Sequence, residues 1–488
     1  MPHTFTDEAI VRLFGYEDAE REEPARLIEY FVKNDVYTRV RANLKLRILV
    51  GYKGVGKSAL FKICEIEDKR EGVASIWIKP DDIAHLSGDE TDLNIKIKEW
   101  KNSIQEIIFR KVAEEFGRLP SDSENRLISY GSGFLQSLLS LANERLGGVI
   151  EPAKRTVVSD FLKKKRLVVY LDDLDRGWTG SAAHITKTAA LLNAVRDIIA
   201  DSQGLYFRIA LRSDVYNIVR RRDSNADKME GDTIWMQWTN DDIFRVLVRR
   251  VATFEGRGMQ LAAYGGASQQ QLAKYLDSVF EPRYSGLGLW DNRATYHVIL
   301  SFVRAKPRDI VLFCSGAARL AAKNKHHVIK SSDIKDSLKG YCQGRVNDVI
   351  NEFRSELPDI ERLIYGMKAS QREIKERRGN RYSTDELIVK IKDIMSQGKF
   401  TFFDGRIATP TDLIKFLFRV TFITARKKSV TGFVERKYFD EAMHLSTQFA
   451  DFGYDWEVHP AYRWALEQEQ PINLFNEVEP TDFSDIAP

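Results

Sequence analysis

The segment Gly51-Tyr-Lys-Gly-Val-Gly-Lys57-Ser58 decides how this chain is interpreted. It has the pattern Gly-x-x-x-x-Gly-Lys-Ser, and it lies between an apolar run at 44–50, predicted to be a strand, and a helical pattern at 58–66. Glycines allow the backbone to bend closely around a polyphosphate with its N–H groups pointing inward. The helix that follows directs the positive end of its dipole at the same phosphates. The sequence therefore predicts a triphosphate-binding loop.

The residue types of this loop suggest individual roles. The Lys57 ammonium can reach the β- and γ-phosphates, and the Ser58 hydroxyl can ligate Mg²⁺. The residues expected to contact the nucleotide are Gly51, Gly54, Val55, Gly56, Lys57, Ser58 and Ala59. A Gly-rich turn that fits the pattern by chance is the alternative, but the flanking elements and a second motif downstream disfavour it.

The second motif is the run Leu167-Val-Val-Tyr-Leu-Asp172-Asp173-Leu-Asp175. Five consecutive apolar residues predict a strand buried on both faces, as in a parallel sheet. Carboxylates at its C-terminal end lie where ligands bind in open α/β sheets. We expect Asp172 to hold Mg²⁺ and Asp173 to polarise the attacking water. An Asp-rich turn that caps the next helix is the alternative, and we assign that capping role to Asp175.

Three further strands are predicted at 73–79, 205–211 and 233–238. The strand at 205–211 ends in Arg212 and Ser213, which can sense a γ-phosphate; Ser213 can equally cap the helical pattern that follows it. Pro307 opens a later helix, and Arg308 beside it either stabilises charge on the γ-phosphate or is an ordinary surface arginine. Both pairs of alternatives stay open at the level of sequence.

Bulk properties favour a multi-domain globular protein of 488 residues with a net charge of +4. The three cysteines are isolated and show no metal or disulfide spacing, so we expect reduced, buried thiols. The N-terminus lacks the charge pattern of a signal peptide, and no apolar run is long enough to span a bilayer. We therefore expect a cytoplasmic protein without a membrane partner.

The C-terminal part mixes helices with short strands. The order of helix at 410–420, strand at 422–428, turn at 429–432 and strand at 433–439 suggests a winged-helix module. The cations on or near its wing, which are candidate DNA contacts, are Arg426, Lys427, Lys428, Arg436 and Lys437. His459 is expected to cap the last helix. The predicted domains are a helical lead-in (1–42), an ATPase core (43–250), a helical lid (251–354), a winged-helix-like domain (355–466) and a flexible acidic tail (467–488).

The order of these motifs resembles the additional-strand P-loop ATPases, in particular the AAA+/STAND branch with the Asp-Asp-Leu-Asp-Arg pattern found here at 172–176. KAP-type and replication-initiator ATPases are similar at greater distance. The resemblance implies an α/β fold with a parallel sheet in the order 5-1-4-3-2, ATP with Mg²⁺ as ligands, and a nucleotide switch that is often a homo-oligomer. It also implies relatives in bacterial defence against phage and mobile DNA.

The sequence departs from this resemblance in two respects. Asp173 stands where such enzymes usually carry Glu, so hydrolysis is expected to be slow, and no arginine finger is evident beyond Arg249 or Arg250. The leading hypothesis is an ATP-hydrolysing switch with Asp173, Lys57, Arg308 and Arg212 as its catalytic residues. The alternatives are an ATP-regulated DNA-binding protein, and a scaffold with little turnover that controls a partner effector.

Overall fold

The structure is a computed structural model, and it describes residues 4–86, 92–116, 166–178, 180–202, 204–222, 226–257, 266–286, 290–375, 379–428, 434–439, 441–442, 445, 453–466 and 478–479. Three sequence-based predictions fall partly or wholly outside these residues. They are the helical section that the apolar spacing predicts at roughly 92–162, of which 117–162 are not described, the turn at 429–432, and the tail at 467–488 apart from 478–479. In the part of the chain that is described, no helix is both long enough and apolar enough to cross a lipid bilayer.

The helices and strands are numbered in chain order. The helices are α1 (Asp7–Phe14), α2 (Pro24–Tyr30), α3 (Asp35–Arg41), α4 (Lys57–Arg70), α5 (Leu93–Phe116), α6 (Ala182–Asp201), α7 (Ser213–Arg222), α8 (Asn240–Phe254), α9 (Gln269–Ala273), α10 (Thr295–Phe302), α11 (Pro307–Lys323), α12 (Ser331–Phe353), α13 (Ile360–Gly366), α14 (Gln371–Lys375), α15 (Thr384–Ser396), α16 (Pro410–Arg419) and α17 (Pro460–Leu466). The strands are β1 (Leu46–Gly51), β2 (Ala74–Ile78), β3 (Leu167–Leu171), β4 (Leu205–Arg212), β5 (Thr233–Trp235), β6 (Arg381–Tyr382), β7 (Ile423–Lys428), β8 (Val434–Lys437) and β9 (Asp455–Val458).

The chain divides into two compact units. The sheet unit comprises Lys33–Met236, and the helical unit comprises Met1–Val32 together with Gln237–Pro488. The helical unit is thus built from both ends of the chain.

The sheet unit contains a parallel sheet in the order β2-β3-β4-β1-β5. This is the predicted order 5-1-4-3-2, so that prediction is confirmed. Parallel neighbours need crossover connections, and helices such as α4 and α6 lie in the connecting segments. Every residue of β3 is buried, which explains its unbroken apolar sequence. β5 is shorter than predicted, because pairing with β1 ends at Trp235.

Helices α11 and α12 pack on each other and on several other helices of the helical unit. Helix α1 packs on α8 and α11, while α12 packs on α11 and α17. Pro307 is the first residue of α11 and Pro410 is the first residue of α16, as predicted, because the missing N–H of proline costs nothing there. At α17, the His459 Nδ1 accepts a hydrogen bond from the Ala461 N–H at 3.1 Å, which is the predicted capping role.

The C-terminal part of the helical unit contains an antiparallel sheet in the order β6-β9-β7-β8. The predicted succession of a helix and two strands is present as α16, β7 and β8. Two of the candidate DNA contacts, Arg426 and Arg436, are buried. Both pair with buried carboxylates, because an isolated charge is too costly to desolvate. Lys427 and Lys428 are exposed, and Lys437 is half-buried.

Candidate nucleotide-binding site

The loop between β1 and α4 has a backbone that only glycine allows at several positions. Gly54 and Gly56 have φ angles of 82° and 96°, in the left-handed region. Gly51 closes β1 where a Cβ atom would lie 2.9 Å from Val55 Cγ2 and 3.3 Å from Met236 Cβ. Helix α4 begins at Lys57, immediately after Gly56. The loop is therefore a tight bend at the N-terminus of a helix, a geometry suited to an anion.

The Lys57 side chain folds over this bend. Its Nζ donates hydrogen bonds to the carbonyl oxygens of Gly51 at 2.8 Å and Tyr52 at 3.1 Å. The ammonium is thus bound to two backbone carbonyls of the loop. A phosphate oxygen bound there would compete with these carbonyls for the N–H groups of Lys57.

Ser58 and Asp172 meet through a hydrogen bond that the Ser58 hydroxyl donates to the carboxylate. Burial raises the pKa of Asp172, and the nearby Asp173 charge acts in the same direction, whereas the Ser58 hydrogen bond lowers it. The structure therefore brings the two predicted Mg²⁺ ligands together. Mg²⁺ prefers such hard oxygen donors and usually takes few of them from the protein, so this pair fits the ion.

Asp173 differs sharply from its neighbour. Its side chain is exposed, and its backbone has a φ of 56°, although it is not glycine. A left-handed L-residue costs roughly 1–2 kcal/mol, less for Asp than for most residue types. The Asp173 N–H also donates to the Asp172 carboxylate at 3.0 Å.

Asp175 lies close enough to Lys57 for the two charges to interact, which the sequence did not predict. It was assigned to cap the next helix, but Ser181 caps α6, its hydroxyl accepting from the His184 N–H at 3.3 Å. Burial raises the pKa of Asp175, and the charges of Arg212 and Lys57 lower it. Its spacing of three residues after Asp172 was the only available signal, and the same spacing also fits a simple turn.

Arg212 joins the ends of β3 and β4. Its Nε lies 3.2 Å from an Asp175 carboxylate oxygen, and its Nε and Nη2 donate to Asp214 at 3.1 and 2.6 Å. Helix α7 begins at Ser213, whose Oγ is buried and has no hydrogen-bond partner among the described residues. The strand tip is thus a charged cluster beside the loop lysine, while the sensor role of Arg212 stays a prediction.

Arg308, Arg249 and Arg250 lie in the helical unit. Arg308 pairs with the Asp18 carboxylate and donates to the Glu17 carbonyl at 3.3 Å. Arg249 donates to a backbone carbonyl of α2 at 2.9 Å. The Arg250 guanidinium packs over a tyrosine ring of α2 at 4.3 Å, and its Nε and Nη1 are buried. Each of these arginines has a local role, and the lid role of Arg308 stays a prediction.

Comparison with known proteins gives distant matches. No protein-family model matches the chain. A putative transposon gamma-delta 80.3 kDa protein of Escherichia coli K12 is 21% identical over 297 residues, which are 58% of this chain and 37% of the E. coli protein. The chain therefore spans little more than a third of the length of this relative.

Several solved structures are similar to the chain at low scores. RuvB of Thermotoga maritima has 11% identity and a TM-score of 0.32, covering 84% of this chain and 91% of RuvB. A Walker-type ATPase of Pyrococcus abyssi has 14% identity and a TM-score of 0.37, covering 89% and 96%. The ORC1 protein of Aeropyrum pernix, solved in complex with DNA, has 11% identity and a TM-score of 0.36, covering 96% and 98%.

Because these scores are low, the fold assignment rests on the topology of the chain itself. The sheet is parallel with the order β2-β3-β4-β1-β5, the glycine loop joins β1 to α4, and the carboxylates follow β3. The chain has the fold of a P-loop nucleoside triphosphatase.

Proposed function

We propose that the chain is a Mg²⁺-dependent, ATP-binding and ATP-hydrolysing switch. The observation that carries this proposal is the hydrogen bond between Ser58 and Asp172, whose carboxylate is also under the influence of the Lys57 charge. Two oxygen donors and a cation thus meet at the N-terminus of α4, where a triphosphate would find backbone N–H groups as well. ATP rather than GTP is proposed from the family resemblance alone.

Each residue has a proposed role in water attack on the γ-phosphate. Ser58 and Asp172 would hold Mg²⁺, which neutralises charge on the phosphates. Lys57 and the loop residues Gly51, Gly54, Val55, Gly56 and Ala59 hold the phosphate chain. Asp173, whose side chain is exposed at the strand end, would orient the water.

Arg212 is proposed to report on the γ-phosphate. It is held by two carboxylates, so a phosphate that draws it away would release Asp175 and Asp214 together. Arg308 is proposed to close the lid, which requires it to exchange its contact with Asp18 for the nucleotide. These exchanges would convert the nucleotide state into a conformational change or an assembly of subunits.

Phosphate release measured together with mass photometry tests the switch. The expected result is slow, Mg²⁺-dependent phosphate release and a mass distribution that shifts when ATP·Mg²⁺ is added. An unchanged distribution with steady hydrolysis contradicts the assembly part. Tight ADP retention with negligible phosphate release instead favours a nucleotide-binding scaffold that controls a partner effector. As a biological role, defence against phage and mobile DNA is proposed from the family resemblance alone.

A second candidate function is ATP-regulated binding of DNA through the C-terminal sheet. The observation that favours it is the exposed pair Lys427 and Lys428 at the end of β7, on a strand that also carries Arg426. Contacts from such cations to phosphates make affinity fall steeply with salt. A titration of labelled duplex DNA at two salt concentrations tests it, and binding that salt leaves unchanged would contradict it.

A further inference from the structure

One face of the C-terminal sheet collects cations from three strands. Residues directly opposite each other in an antiparallel pair point to the same face. Arg426 of β7 lies opposite Arg436 of β8, and Lys428 follows two residues after Arg426. Glu457 of β9 lies opposite both Thr424 of β7 and Arg381 of β6. We call Arg381, Arg426, Lys428 and Arg436 the cationic face.

Two arginines opposite each other destabilise a sheet unless an anion lies between them. Here Glu457 supplies part of that charge: the Arg436 Nε donates to one of its oxygens at 2.5 Å, and Arg463 of α17 pairs with the other. Arg426 Nε is 3.6 Å from Glu457, beyond hydrogen-bond distance. One buried carboxylate is therefore shared among three arginines, and Arg426 needs a second anion.

Glu479 is that second anion. Its carboxylate pairs with Arg426 and lies 3.1 Å from the Lys428 ammonium and 3.6 Å from the Arg381 guanidinium. Its backbone carbonyl accepts from the Arg436 Nη2 at 3.0 Å. All four members of the cationic face thus contact a single residue of the acidic C-terminal segment.

Val478, the residue before Glu479, is also held by its surroundings. Val478 is fully buried, and its carbonyl accepts a hydrogen bond from the Trp290 indole N–H at 2.8 Å. These two residues of the acidic tail are thus held by a buried apolar side chain, a hydrogen-bonded carbonyl and a carboxylate with several cationic partners.

We propose that the cationic face is a phosphate-binding site, that the Glu479 carboxylate fills it in the resting fold, and that phosphate groups of DNA compete with Glu479 for it. A carboxylate and a phosphate present the same oxygen acceptors to arginine. The accessible members of the cationic face are Lys428 and Arg381, whose side chains are 59% and 31% exposed. A phosphate would contact these two side chains first. This inference rests on the second candidate function, DNA binding.

The test uses the full chain and a fluorescein-labelled duplex DNA, measured by anisotropy at 50 and 200 mM salt. Glu479→Gln keeps the shape of the segment and its Trp290 contact but removes the competing charge. We expect it to bind DNA about tenfold more tightly than the wild type at low salt, with a steeper loss of affinity as salt rises. Adding Lys428→Gln to this variant should remove part of the gain.

The matched control is Glu477→Gln, which changes the net charge by the same amount two residues earlier. If both variants gain equally, the effect is one of overall charge and the proposal is overturned. If the wild type binds DNA and Glu479→Gln binds no more tightly, competition by Glu479 is overturned while DNA binding stands. If no chain binds DNA at either salt, both are overturned.

A second measurement guards against misfolding of the variant. A synthetic peptide of residues 471–488, added to Glu479→Gln with DNA bound, should displace the DNA. The same peptide with Gln at position 479 should not. Equal displacement by both peptides contradicts a specific role for the Glu479 carboxylate.

Discussion

The Arg212 guanidinium lies 3.2 Å from the Asp175 carboxylate and thereby links the ends of β4 and β3. Arg212 also holds the buried Asp214 through two nitrogens. The same Asp175 is under the influence of the Lys57 charge. The cluster therefore connects the phosphate-binding loop to the strand tip that is proposed to detect the γ-phosphate.

Loss of Arg212 should lower stability as well as function. Arg212→Ala removes two hydrogen bonds from the buried carboxylate of Asp214, and we expect the free energy of unfolding to fall by roughly 2–3 kcal/mol. Urea denaturation measures this. The control is Arg220→Ala, since Arg220 forms an exposed ion pair with Glu230 and its loss should cost less than about 1 kcal/mol. Equal losses of unfolding free energy in the two variants would show that the ion pairs of Arg212 stabilise the fold no more than an exposed ion pair does.

Asp173 should affect turnover and not binding. Asp173→Asn retains the shape and tolerates the left-handed backbone, whereas Asp173→Ala removes the polar group entirely. We expect both variants to bind ATP like the wild type and to release phosphate about a hundredfold more slowly. Phosphate release under saturating ATP·Mg²⁺ measures this. A wild-type rate in either variant would show that another group, such as Asp175, orients the water.

The buried carboxylate of the C-terminal sheet should make stability depend on pH. Burial alone would raise the pKa of Glu457, but the three arginines around it lower that pKa to about 2. A depressed folded-state pKa contributes stability above the ordinary value of 4.5, and this contribution is lost as pH falls through about 2. The destabilisation caused by Glu457→Gln should thus be a few kcal/mol at pH 6 and shrink towards pH 2.

Urea denaturation of Glu457→Gln and the wild type between pH 6 and pH 2.5 measures that trend. The control is Glu435→Gln, whose carboxylate is 29% exposed and pairs only with Lys437 and Tyr454 in the described residues. Its effect should be small at every pH. A Glu457→Gln effect that stays constant with pH contradicts the assigned ionisation.

The three cysteines should be unreactive in the folded chain. All are buried, and burial raises the pKa of Cys64 and of Cys342 to about 12, while the pKa of Cys314 also lies far above its ordinary value. The thiolate is the reactive form, so a disulfide reagent at pH 8 should label no thiol in native protein and three in urea. Rapid labelling of any thiol without urea would show that the helix carrying that cysteine unfolds locally.

The glycine loop and the buried strand before the carboxylates could be predicted because both depend on local signals, whereas the sheet order was implied by the family resemblance. Gly54, Gly56 and Lys57 stand at a strand-to-helix turn that few other residue types could form, and β3 is apolar throughout. The pairing of Ser58 with Asp172 followed from the carboxyl ends of parallel strands meeting at one edge of the sheet.

The C-terminal sheet was harder to predict, because burial there depends on distant residues. Arg426 and Arg436 resemble surface cations on a turn. The carboxylates of Glu457 and Glu479 offset the free-energy cost of burying them. These partners lie 21 to 53 positions away along the chain. Charge in a sequence thus indicates exposure only when no distant counter-charge folds onto it.

Calorimetric titration of ATP with Mg²⁺ into the full chain tests the nucleotide site most directly. We expect saturable binding by the wild type and by Lys53→Ala, whose exposed lysine lies in the same loop, and no detectable heat with Lys57→Ala. Binding by Lys57→Ala that equals the wild type, or folded wild-type protein that gives no heat with ATP or GTP, would contradict a triphosphate held between β1 and α4.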